Sequence, residues 1–147
     1  MVIPNPPHRA ERAGRDPSEL EVFACLFAAP GPDRASARDA VRRQLMPYLG
    51  LPFYRNMLVA SGFEEDCDTF DEGMAVQDLP RAFAGISDRM VDEIAATGDI
   101  DEVAQTLDTF VKAGCTMPVV GVAGGYEGYE GTGQALAALR SAASLAD

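Results

Sequence analysis

Three parts of this 147-residue sequence carry residue types able to do chemistry. Near the C-terminus, GVAGGYEGYEGTG sets six glycines between Gly121 and Gly133 around two Tyr-Glu pairs, just ahead of a helical pattern. Glycines after a strand let backbone N–H groups approach a ligand, and a nearby helix N-terminus favours an anion. In the middle, EEDCDTFDEG packs six acidic residues into ten, as a cation held by oxygen ligands would need. Cys25, Cys67, Cys115 and a single histidine, His8, supply the side chains of thiolate and imidazole chemistry.

Spacing removes most of these chemistries. The glycine segment has no G-x-G-x-x-G, and no Lys follows Met117 to complete a P-loop. Glu127 and Glu130 oppose a phosphate there, so a ligand loop and a plain flexible turn both stay open. An EF-hand counted from Asp66 would put Phe70 at its fifth position and Gln77 at its twelfth, where oxygen ligands are required. The acidic block is therefore expected to be a solvated loop or helix edge. Three cysteines without a C-x-x-C fit reduced thiols, and Cys25 and Cys115 are expected to be small hydrophobes in apolar surroundings. His8 lies in a Pro-rich segment, a poor mount for a zinc ligand or a catalytic base.

Composition narrows the partners. With 12 basic and 23 acidic residues the formal net charge is −11, which argues against nucleic acid or an anionic membrane surface. Hydrophobic residues make up 47% of the chain, enough for one core. There is no apolar run of membrane-spanning length, and MVIPNPPHRAERAGRD lacks the apolar core of a secretory signal. The expected location is the cytoplasm.

The elements that must position any site alternate in type. HRAERAGR reads as the end of a helix stopped by Gly14, followed by a turn at Asp16-Pro17. Leu20 to Pro30 is a continuous apolar run and predicts a strand buried on both faces. Asp33 caps a helix with Ala37, Ala40, Val41 and Leu45 on one face, ended or kinked at Pro47. A second helical segment runs to Gly62 with Phe53, Tyr54, Met57 and Leu58 as its apolar face. A short helix, a break near Gly85 and a cap at Ser87 come next, then a doubtful short strand near Ile94 to Ala96. Asp99 and Glu102 form a capping box for a helix with Ile100, Val103, Ala104, Leu107, Phe110 and Val111 as its stripe, stopped by Gly114. CTMPVVGVAGG predicts a strand, and a final helix is expected over 134–145. Strands alternating with helices predict an α/β fold with a parallel sheet.

Three blocks carry more than periodicity. AGRDPSELEVFACLF, YLGLPFYRNMLVASGF and ISDRMVDEIAATGDIDEVAQTLDTFVKAGCTMPVV contain G-R-D-P before a strand, Y-L-x-x-P-x-Y in the next helical segment, and T-G-x-x-x-E-V with A-G before the last strand. In order and spacing, over about 110 residues, they resemble the luciferase-like monooxygenase family, and within it the deazaflavin (coenzyme F420)-dependent branch. The resemblance implies part of a (β/α)8 TIM-type barrel, about strands six to eight, with residues 1–147 as the C-terminal half of the domain. On that alignment strand six is Leu20 to Ala28, a degenerate strand seven lies near Ile94 to Thr97, and strand eight is Met117 to Val122.

The same resemblance implies an oxidoreductase that uses reduced F420, or alternatively FMN, on a small organic substrate. The family's usual catalytic residues lie upstream of anything aligned here, so no catalytic residue is assigned. Ligands of such barrels sit at the C-terminal ends of the strands. That position implies cofactor contact at Val122, Gly124 and Gly125, and a substrate-pocket wall at Phe27 and Tyr54. Open strand edges imply a homo-oligomer or a missing N-terminal half-barrel as partner. The alternative is a non-catalytic half-barrel that self-associates as a structural or ligand-binding module.

Overall fold

The structure is a computed structural model that describes residues 10–124. His8, Gly125, both Tyr-Glu pairs and the helix expected over 134–145 lie outside the described residues. A helical turn ends at Gly14, whose φ of +68° only glycine takes freely, and a 3-10 turn follows at Pro17–Glu19. The elements are β1 (Phe23–Pro30), α1 (Arg34–Leu49), α2 (Pro52–Ala60), α3 (Glu64–Ala75), α4 (Leu79–Ala84), α5 (Asp88–Ile94), β2 (Ala95–Gly98), α6 (Ile100–Lys112) and β3 (Met117–Val122).

The three strands form one parallel sheet in the order β2-β1-β3. Phe27 stands opposite Ala95 on one side and Gly121 on the other, so β1 is hydrogen-bonded along both edges. The α/β class is as expected, but the order is not. Consecutive barrel strands are neighbours, yet β3 pairs with β1 and not with β2. β1 and β3 therefore take consecutive places in the wall, and the four-residue β2 flanks β1 on its other edge.

Side chains of β1 alternate between two packing layers. Leu26 and Ala28 meet α6 through Phe110 and Val103, with Cys115 of the following loop beside them. Phe27 and Ala29 join the larger core built by α1 to α5, with Val41, Leu45, Leu49, Phe63, Phe70, Ile86, Met90 and Val91. The strand expected to be buried on both faces is so only at its C-terminal end. Phe23 is 55% exposed and Cys25 is also exposed, against the expected apolar surroundings. No described element covers the face that Phe23 and Cys25 share with Met117 and Val119, both exposed.

Local signals account for most helix ends. The side chains of Asp33, Asp78 and Ser87 accept from Ala35, Arg81 and Met90 backbone N–H groups. Asp99 and Glu102 form the capping box of α6, and Gly114 closes it with φ +101°. Pro47 does not end α1, which runs on to Leu49 before the Gly50-Leu51 break. Of the two expected readings of the acidic block, loop or helix edge, the structure shows a helix. Its Cys67, Phe70 and Gly73 are buried while Glu64, Glu65 and Asp66 occupy the first turn, where the helix dipole favours them. The expected apolar face of α2 is corrected too: Leu58 is buried, but Phe53 is 74% exposed and Met57 is exposed. Leu58 is the one residue of this helix that the core engulfs.

α3 and α4 are pressed together at two glycines. A Cβ on Gly73 would stand 2.4 Å from the Ala82 backbone nitrogen, and one on Gly85 2.6 Å from that of Phe70. Backbone cannot rotate away as a side chain can, so Gly73→Ala must part the helices at a cost of about 1–3 kcal/mol. Gly31→Ala, with nothing within 4 Å of its Cβ, is the control and stays within about 0.5 kcal/mol of the parent. Urea unfolding of the two variants checks this; equal midpoints would mean the contact is not tight.

Candidate functional site

β3 ends beside the upper part of β1, with the last paired position Ala28 and Val122, two residues before β1 ends at Pro30. Ala123 extends the pairing by donating its N–H to the Ala28 carbonyl at 2.8 Å. Just below, Phe27 faces the exposed Gly121, where a Cβ would touch the Phe27 ring at 3.5 Å. Gly124, also exposed, sits over α1, its would-be Cβ 3.7 Å from that of Ala40. Gly121 thus leaves bare backbone beside the Phe27 ring, and Gly124 leaves it beside α1.

From Phe27 a row of rings leads outward. Phe27 meets Tyr48 edge to face at 5.9 Å, Tyr48 meets Tyr54 at 5.0 Å, and Tyr54 meets Phe53 at 5.4 Å. The Y-L-x-x-P-x-Y segment makes this possible. Its first Tyr ends α1, Leu49 anchors the turn in the core, Pro52 opens α2, and the second Tyr comes back against the first. Phe27 and Tyr54, expected as pocket wall, are therefore brought together, with Tyr48 between them. Tyr48 was missed because it reads as one more residue near a helix end; the motif that contains it was the available signal. Val122 pairs with Ala28, on the opposite face of the sheet from Phe27, Gly124 lies against Ala40 of α1, and Gly125 is outside the described residues.

A second, polar cleft of about 330 Å³ opens along β2 between Arg34, Asp92, Thr97, Glu102 and Thr106. Its charges are already spent on one another. Arg34 pairs with Glu102, whose other oxygen accepts from the Asp99 N–H at 2.9 Å. Arg38 reaches Asp92 at 2.6 Å and Asp88 at 2.7 Å, and Arg42 binds Asp39, Asp88 and the Ile86 carbonyl. The T-G-x-x-x-E-V segment is the keystone here. Gly98 has φ +120°, and any Cβ on it would collide with the Glu102 carboxylate. That motif ties β2, α1 and α6 together. Thr97, the one buried polar residue among those described, turns its hydroxyl toward Asp92 at 3.5 Å. The Arg38 hydrogen bond holds the Asp92 carboxyl below its usual range, against a smaller opposing effect of burial. Elsewhere, burial pushes the Cys67 thiol up, so it is an inert core residue.

The chain matches the luciferase-like monooxygenase family over residues 2–117, and it belongs to that family. Among solved structures it is similar to the coenzyme F420-dependent tetrahydromethanopterin reductase from Methanopyrus kandleri, at 25% identity with a TM-score of 0.59. The match covers 77% of this chain and 32% of the reductase, so the chain spans about a third of the length of the structure it matches. A search of curated proteins found no match. With the parallel sheet described above, the fold is part of a (β/α)8 barrel, incomplete in this chain. Among the described residues no helix is long and apolar enough to cross a membrane.

The paired carboxylate gives a pH prediction. Asp92 is held below its ordinary pKa, so its stabilisation is complete above the unfolded value, about 4, and fades as pH falls through the lower folded value. Asp92→Asn should lower the urea midpoint at pH 7, and the gap to the parent should narrow at pH 3. An unchanged gap at pH 3 would show that the Arg38–Asp92 pair is not its source.

Proposed function

We propose that residues 1–147 form the C-terminal part of a luciferase-like barrel and supply one wall of the active site of an oxidoreductase acting on a small organic substrate in the cytoplasm. The observation that carries this reading is the ring of Phe27 lying against side-chain-free Gly121 at the ends of two neighbouring parallel strands. Strand ends are where barrels of this class bind ligands.

The residues there fit the planar ring of F420, or alternatively of FMN. Phe27 offers apolar surface, and Gly121 beside it lets a flat ring approach the backbone; Val122, opposite Ala28, lies on the other face of the sheet. These residues offer no cation to the phosphate-bearing tail, and Arg34, Arg38 and Arg42 on the adjoining helix are each committed to carboxylates. The tail belongs on the part of the barrel that this chain does not span. When bound, the reduced cofactor supplies the hydride. This chain's part is to orient the ring and exclude water beside it. No described residue is assigned to proton transfer.

A second reading has its own observation. The uncovered sheet face of Phe23, Cys25, Met117 and Val119 favours a half-barrel that buries this surface against another copy or against the remaining strands.

A thermal unfolding scan with excess F420 or FMN tests the first reading. F420 is expected to raise Tm, by the equivalent of about 2.7 kcal/mol at a hundredfold excess over Kd. Gly121→Val, which sets a branched side chain beside the Phe27 ring, should melt cooperatively but lose the shift. A larger rise with FMN would reassign the cofactor. A cooperative melt that neither ligand moves would leave the self-associating module.

A further inference from the structure

We propose that Tyr48, Tyr54 and Phe53 form a binding row for a neutral, planar aromatic ring of the substrate, set beside Phe27. The proposal rests on the reading above in one respect, that this end of the sheet faces the substrate.

The first support is geometry. The rings step outward from the sheet at 5.9, 5.0 and 5.4 Å, each edge to face with the next, which is the preferred arrangement of aromatic pairs. The row does not close on itself within the core. It ends at Phe53, 74% exposed, with Met57 one turn along the same helix and Leu51 at its cap also open to solvent. A further planar ring laid on this end continues the series at the same spacing.

The second support is polarity. Neither Tyr48 nor Tyr54 has a hydrogen-bond partner for its hydroxyl among the described residues, so two phenols stand uncommitted beside the open ring faces. They can donate to a carbonyl or ring nitrogen on a neutral ligand.

The third support is charge. Arg55 is the only charged residue of α2, and its guanidinium is turned to Asp68 and Asp71 on α3 at 2.7 and 2.6 Å. No cation of this helix is therefore left to receive an anionic group, and the chain is acidic as a whole. Desolvating an anion against α2 has no cation of that helix to offset it. A neutral ring is the ligand class that remains.

The test uses the full 147-residue chain and two probes of one shape, neutral 2-naphthol and anionic 2-naphthalenesulfonate, by equilibrium dialysis. Expected is saturable binding of 2-naphthol, at least tenfold tighter than the sulfonate. Tyr48→Ala and Tyr54→Ala should each weaken it at least tenfold, while Leu79→Ala, at an exposed apolar residue on another helix, leaves it unchanged. If an alanine at either tyrosine prevents folding, Phe53→Ala carries the test with at least threefold weakening, since that ring is mostly in solvent. Equal affinity for the two probes, equal loss in Leu79→Ala, or no saturable binding overturns the proposal. So does a Tyr48→Ala change that alters sedimentation but not naphthol binding, which would make the row a contact between copies. Cofactor-induced Tm shifts on the same samples separate the two readings. Naphthol binding without any cofactor shift overturns the oxidoreductase wall and keeps the row; a cofactor shift without naphthol binding does the reverse.

Discussion

β1 is the strand on which the rest of the molecule depends. It is hydrogen-bonded along both edges and packed on both faces at its C-terminal end, and no other element has both properties. That double duty explains its composition. Ala28 and Ala29 are fully buried on opposite faces, small enough for α6 to come close on one side and α1 on the other. Between them and the exposed base of the strand stands Phe27, the one large ring on the upper part of that face. Its position is therefore set by the packing of the whole chain, and a ligand surface built on it inherits that rigidity.

Electrostatics divide the surface into a structural part and a ligand-facing part. The chain carries a large excess of acid, yet Arg34, Arg38 and Arg42 of α1 are drawn into carboxylate clusters that tie α1 to α5 and α6. Arg55, Arg81 and Arg89 do the same between the other helices, and Arg89 also lies over the Phe63 ring at 4.3 Å. Such pairs are individually weak where exposed, but a network that joins several elements fixes their relative placement. The consequence for function is subtraction. Cations spent on the fold in this way are not available to a phosphate.

How much of this was legible in the sequence follows from the range of each signal. Caps and stops are local, and Asp33, Ser87, Asp99 with Glu102, and Gly114 all act where their spacing placed them. The α/β class was legible from alternation, and the family from three motifs in register. What failed depended on contacts between distant segments. Cys25 looked buried because its neighbours are apolar, but the surface that would cover it is not among the described elements. The acidic block hid a buried stripe of Cys67, Phe70 and Gly73, whose value lies in a close approach to α4 that no spacing rule encodes. The order β2-β1-β3 is likewise a pairing choice, and sequence order alone suggested the wrong neighbour for β3. At the site, Phe27 and Tyr54 were legible from position after the strands, whereas Tyr48 became visible only once the break at Gly50-Leu51 folded one tyrosine onto the other.

The uncovered sheet face and the aromatic row are not independent, because both run through Phe27. Phe23 and Cys25 lie on the same face of β1 as Phe27, and their partners Met117 and Val119 lie on the same face of β3 as Gly121. Whatever covers the lower part of that face meets the underside of the Phe27–Gly121 contact, while a ring bound at the row meets it from the side of Tyr48. Fixing Phe27 from one direction lowers the ordering cost of contact from the other, and by linkage the effect is reciprocal. On the proposed reading, completion of the barrel and recognition of a planar ring would therefore be coupled through a single side chain, Phe27.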